Sequence, residues 1–117
     1  MKNLNGSSLV KKNVKHRLNV MFADLCYLNR QTVYEQYVPL AVGYIAQYAK
    51  QQFGKDINVS LFKNIDKFLD QAAQNPPDVI GLSVYFWNLN INQYVVKRIR
   101  EKFGRNVIIV LGGPCID

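Results

Sequence analysis

Two stretches of this chain, Asp78-Val79-Ile80-Gly81-Leu82-Ser83-Val84 and Asn106-Val107-Ile108-Ile109-Val110-Leu111, are apolar with no polar alternation. Strands of that kind are buried on both faces, as in a parallel sheet covered by helices on either side. Two further runs precede them. Leu18-Asn19-Val20-Met21-Phe22-Ala23 is short and ends at Asp24, whereas Ile57-Asn58-Val59-Ser60-Leu61-Phe62 alternates, as a strand nearer an edge does. Three helical patterns lie between the runs. Val38, Ala41, Val42, Ile45, Ala49 and Phe53 recur at three- and four-residue steps around a first-turn Pro39 and stop at Gly54. Asn64 or Asp66 caps a short second helix through Phe68, Leu69 and Ala72 or Ala73, which Pro76-Pro77 closes. Ile91, Val95, Val96, Ile99 and Phe103 form one stripe of a third helix, ended by Gly104.

The resulting βαβαβαβ order predicts an α/β domain, a Rossmann-like parallel sheet with helices on both faces. Right-handed crossovers leave few arrangements, of which the flavodoxin-like strand order 2-1-3-4 puts the alternating second strand at an edge. The fourth strand then forms the other edge, although its sequence is that of an interior strand. A long apolar edge is a pairing hazard, so a fifth strand is expected, from a longer chain or from a partner. Residues 17–117 thus read as one domain cut off after its fourth strand.

The net charge of +7 invites a nucleic-acid reading, but its distribution argues against one. Lys2, Lys11, Lys12, Lys15 and Arg17 stand at the start with no acid among them, and the rest of the chain is nearly balanced. Residues 1–16 therefore read as a disordered basic leader. The leader is not a secretion signal, since no apolar h-region follows its lysines, and no stretch approaches the ~20 apolar residues that span a bilayer. The expected compartment is the cytoplasm, and the two cysteines, Cys26 and Cys115, suit a reducing one.

In an open parallel sheet, ligands bind beyond the carboxyl ends of the strands, where strand order reverses. Three segments converge there. One is the long connection from Asp24 to Tyr37, with Leu25, Cys26, Tyr27, Tyr34 and Tyr37; the second is Ser83-Val84-Tyr85-Phe86-Trp87-Asn88; the third is Gly112-Gly113-Pro114. A small hydroxyl, approachable backbone and several aromatics suit a large, flat, partly apolar ligand. Other chemistries fit poorly. A phosphoacceptor domain needs an acidic cluster after strand one and an aspartate where Ser83 stands. The first loop lacks the Ser/Thr/Gly-rich character of an FMN phosphate site. Neither GxGxxG nor a P-loop is present. His16, the only histidine, lies in the leader, which leaves no base for a hydrolytic triad.

The ordered motifs resemble the N-terminal cobalamin-binding domain of B12-dependent radical SAM proteins. They are Asn19-Val20-Met21-Phe22-Ala23-Asp24, Pro39-Leu40-Ala41-Val42-Gly43-Tyr44-Ile45-Ala46, Pro77-Asp78-Val79-Ile80-Gly81-Leu82-Ser83, Tyr85-Phe86-Trp87-Asn88 and Leu111-Gly112-Gly113-Pro114. The resemblance implies a five-stranded fold that holds cobalamin base-off, its nucleotide tail descending between the loops at the strand ends. Ser83 would hydrogen-bond the tail, and Gly112, Gly113 and Pro114 would line its path. Leu25 and Cys26 would approach the lower face of the corrin, with Asp24 beside them at the cofactor site and Tyr85 and Trp87 around the ring or at the next domain. Methionine-synthase-type domains carry Asp-x-His-x-x-Gly at the first loop. Here Cys26 replaces that histidine, so no histidine ligand to cobalt is expected. The chain has no Cys-x-x-x-Cys-x-x-Cys, so S-adenosylmethionine and the [4Fe-4S] cluster would belong to a radical SAM barrel further along the same polypeptide. Methyl transfer or related radical chemistry would take place there, and this stretch alone would catalyse nothing. The alternative is a non-catalytic flavodoxin-like module that docks a protein partner.

Overall fold

The computed structural model describes residues 17–26 and 40–114. The expectations made for the basic leader, for Tyr27, Tyr34, Tyr37 and Pro39, and for Cys115 lie outside these residues. The elements run β1 (Leu18–Cys26), α1 (Leu40–Phe53), β2 (Ile57–Asn64), α2 (Ile65–Gln74), β3 (Val79–Ser83), α3 (Leu89–Phe103) and β4 (Ile108–Gly112). The sheet is parallel, with order β2-β1-β3-β4, as the pattern predicts.

Strand alternation sorts the core into two faces. Met21, Ala23 and Leu25 of β1 and Ile80 and Leu82 of β3, followed by Val84, point to one face. There they meet Phe68 and Ala72 of α2 and Ile91, Val95 and Ile99 of α3 in one buried cluster. α1 packs against β1 and β2 on the opposite face. Its inward residues are Val42 and Ala46, while Ile45 and Phe53 are exposed, although the periodicity placed both on the buried stripe. The helix covers only one side of the sheet's second face, so an apolar residue aimed toward β3 and β4 finds no cover.

Capping follows local chemistry. The Asn64 side chain accepts from Lys67 N at 3.0 Å, which makes Asn64, and not Asp66, the cap of α2. Gly54 and Gly104, at φ +51° and +62°, turn the chain out of α1 and α3 at little steric cost. At the amino edge of the sheet, Asn19 anchors the Pro76-Pro77 turn. Its Nδ2 donates to Asn75 O at 2.7 Å, and its backbone N–H donates to Asp78 Oδ2 at 2.8 Å.

β1 continues through Asp24 and Leu25 to Cys26, three residues past the expected end, with an irregularity in its pairing to β2 between Ala23 and Cys26. Polar Asp24 suggested a loop in the sequence, yet it is almost wholly buried within the strand. β4 sits at the sheet edge with Ile108, Val110 and Leu111 exposed, and among the described residues no strand pairs with its outer side.

Candidate functional site

The α1 face of the sheet holds a groove of about 220 Å³ at the carboxyl end of β3. Its lining includes Phe22, Gly81, Ser83, Tyr85, Val110, Gly112 and Gly113, with Val42 and Ile45 of α1 along one side. Pairing register explains the convergence. Phe22 lies opposite Gly81, and Ser83 opposite Gly112, so all four share one face of neighbouring strands. The floor depends on Gly81. A Cβ there would stand 2.6 Å from the Phe22 ring, so the ring lies across space that only glycine leaves open.

The far wall is built by the glycine pair. Val84 N donates to Gly112 O at 2.6 Å, closing β4 onto the end of β3. Gly113 then turns at φ +120°, tight against the Val84 backbone. Beyond Ser83 the chain forms a short 3₁₀ turn, Phe86–Asn88. It stacks Tyr85 on Trp87, ring centroids 4.5 Å apart and 4° from parallel, with the exposed Phe86 edge-on to Trp87.

Of the nine residues singled out in the sequence, Ser83, Tyr85, Gly112 and Gly113 meet in this groove, Trp87 stacks on its Tyr85 wall, and Pro114 follows Gly113 at the surface. The three from β1 stand apart from the lining. The Leu25 side chain belongs to the α2/α3 core, while Asp24 and Cys26 are buried at the strand end. Cys26 Sγ lies 3.9 Å from Asp24 O. Burial pushes the Cys26 thiol above its ordinary pKa and the nearby Asp24 charge adds to this, against a smaller opposing effect of Lys63. These influences favour the protonated thiol of Cys26 over the thiolate. Among the described residues no cluster of His, Cys, Asp and Glu could hold a metal ion.

Sequence reasoning did not single out Phe22, Gly81 or Val110. Period-two alternation was the available signal for Gly81, which shares a face with Ser83 two residues on.

The fold is that of a doubly wound α/β domain, and the groove lies at the carboxyl ends of the strands where strand order reverses, the place where domains of this class take ligands. The family model for the B12 binding domain matches residues 28–117, and the chain belongs to that family. It is similar to the cobalamin-dependent radical SAM methyltransferase TokK of Streptomyces tokunonensis, 31% identical over 84 residues. It is equally similar, 31% over 83 residues, to the 2-(S-pantetheinyl)-carbapenam-3-carboxylate methyltransferase of Streptantibioticus cattleyicolor. Each match covers 67% of this chain but only 12% of the relative's length. No solved structure matches the chain significantly.

Proposed function

We propose that this chain is the cobalamin-holding part of a B12-dependent radical SAM enzyme and that its groove receives the cofactor's nucleotide tail. The observation that carries the reading is the groove itself: a small hydroxyl, Ser83, faces the backbone of Gly112 over an apolar floor made by Phe22 and Gly81. At about 220 Å³ the groove is smaller than the roughly 300–1,000 Å³ of a pocket that encloses a whole drug-sized ligand. It therefore suits one limb of a large ligand, with the rest lying above the strand ends. Ser83 hydrogen-bonds the tail, Gly112 and Gly113 admit it against backbone, and Pro114 directs the chain away. The Tyr85–Trp87 stack offers a flat apolar surface near the corrin. The strand end at Asp24, Leu25 and Cys26 lies toward the lower face of the corrin in this reading, and the cofactor is held base-off without a histidine ligand.

Bound cobalamin supplies a redox-active cobalt centre. The relatives' names support methyl transfer as the reaction, with S-adenosylmethionine, the iron–sulfur cluster and the radical SAM barrel contributed by other parts of the polypeptide. A fifth strand against β4, from the same polypeptide or a partner, completes the sheet in this reading. Its support is the outer side of β4, an apolar strand at the sheet edge that pairs with no other strand among the described residues.

The test is to incubate the purified chain with hydroxocobalamin, desalt it and record the visible spectrum. Retained corrinoid with a base-off spectrum is expected, and Ser83→Tyr, which fills the groove, should lose it while the far-UV dichroism is kept. A folded wild-type chain that emerges colourless overturns the proposal.

A further inference from the structure

Asn88 closes the 3₁₀ turn that follows β3, and its side chain is completely buried. All of its hydrogen-bonding atoms point at backbone. Nδ2 donates to Leu25 O at 3.0 Å and to Ser83 O at 3.1 Å, and Oδ1 accepts from Tyr85 N at 2.8 Å. These partners belong to the end of β1, the end of β3 and the start of the aromatic turn.

Place and geometry give this amide a task. β1 and β3 are the two central strands, and their pairing ends at Ala23 opposite Leu82. Beyond that point the carbonyls of Leu25 and Ser83 have no ladder donor from each other's strand, and the Asn88 amide supplies one to both. A second side-chain amide, Asn92 Nδ2, reaches Ser83 O from the next turn of α3 at 3.2 Å. The crevice where strand order reverses is therefore braced from the α3 side by buried amides, and the groove opens on the opposite, α1 side.

We propose that Asn88 is a positioning residue for the cofactor site. By holding the ends of β1 and β3 at a fixed separation and pinning Tyr85, it sets the orientation of Ser83 toward the groove and of the Tyr85–Trp87 stack beside it. The proposal rests on the cobalamin reading for its functional consequence but has a readout of its own. Removing the amide takes from Leu25 O and Tyr85 N their Asn88 partners in a buried site. Ser83 O retains only Asn92.

Trp87 is the only tryptophan in the chain, so its emission reports on the stack with no cofactor present. The experiment compares wild type, Asn88→Ala and Asn88→Asp with Ile99→Ala. Asn88→Asp keeps the shape and the acceptor for Tyr85 N but lacks the paired donors. Ile99→Ala damages the core further along α3 without touching the groove. Acrylamide quenching of Trp87 should rise in Asn88→Ala and stay at the wild-type value in Ile99→Ala, each measured where dichroism shows a folded chain. Hydroxocobalamin affinity should fall about tenfold or more in both Asn88 variants, the consequence of leaving buried backbone groups unpaired, and remain near wild type in Ile99→Ala. Unchanged quenching in Asn88→Ala, or an equal loss of affinity in Ile99→Ala, overturns the proposal. If the wild-type chain binds no cobalamin but Asn88→Ala still loosens Trp87, the brace stands and the cofactor reading alone falls.

Discussion

A methyl group added at Gly113 would fall against the Val84 carbonyl oxygen and 2.9 Å from Val84 N, on a backbone already at φ +120°. Both effects are strain on main chain, which cannot rotate away as a side chain would. A methyl group at Gly112 meets nothing within 4 Å, because the space there is the groove. The adjacent glycines thus differ: Gly113 makes the turn, and Gly112 leaves open the space that the proposed tail would fill. Gly113→Ala should cost about 1–3 kcal/mol of stability, seen as a lowered thermal midpoint by dichroism. Gly112→Ala should stay within about 0.5 kcal/mol of wild type yet retain less corrinoid, because its methyl group occupies the tail's path. Equal midpoints for the two variants would contradict this division. The sequence marked both glycines as a place for close approach but did not separate them, since the distinction lies in a contact with Val84, far away in the chain.

Among the elements, β4 is the one whose surroundings least match its composition. Ile108 is 63% exposed and Val110 54%, on a strand whose outer edge is unpaired among the described residues. Apolar edges invite pairing with other chains, and a charge on the edge opposes it. Ile108→Lys is expected to shift the chain toward monomer in concentration-dependent size-exclusion chromatography. Its thermal midpoint should hardly move, since the residue lies outside the buried core. The exposed edge was legible in advance: an interior-type sequence assigned to an edge position by crossover rules. So were the strands and α-helices of the described residues, because period two and period 3.6 leave direct traces. The failures share a cause. Ile45 and Phe53 were assigned to the buried stripe of α1, and Asp24 to a loop, from local pattern alone. Burial of these residues is decided by what covers each face, and in the structure α1 covers only β1 and β2. Asn88 stood within a quoted motif, yet its role depends on meeting Leu25, sixty-three positions away.

At the scale of the whole molecule, the strand ends collect the groove, the aromatic stack and the buried amides on one edge of the sheet, while the opposite edge is tied by Asn19 and the proline turn. A ligand seated in the groove would touch β1, β3 and β4 together. Any ligand bound to the native state alone stabilises it by mass action, about 2.7 kcal/mol at a concentration one hundred times the dissociation constant. For a domain of this size each kcal/mol raises the midpoint by roughly 4–8 °C, so saturating cobalamin should raise it on the order of ten degrees. Cobinamide, a corrinoid without the nucleotide tail, separates the two limbs of the ligand. If the groove holds the tail, cobinamide should stabilise the wild-type chain much less than cobalamin does. Ser83→Tyr should reduce the effect of cobalamin to that of cobinamide and leave the cobinamide effect unchanged. Equal stabilisation by both corrinoids would place the contacts on the corrin alone and leave the Ser83 groove to another ligand.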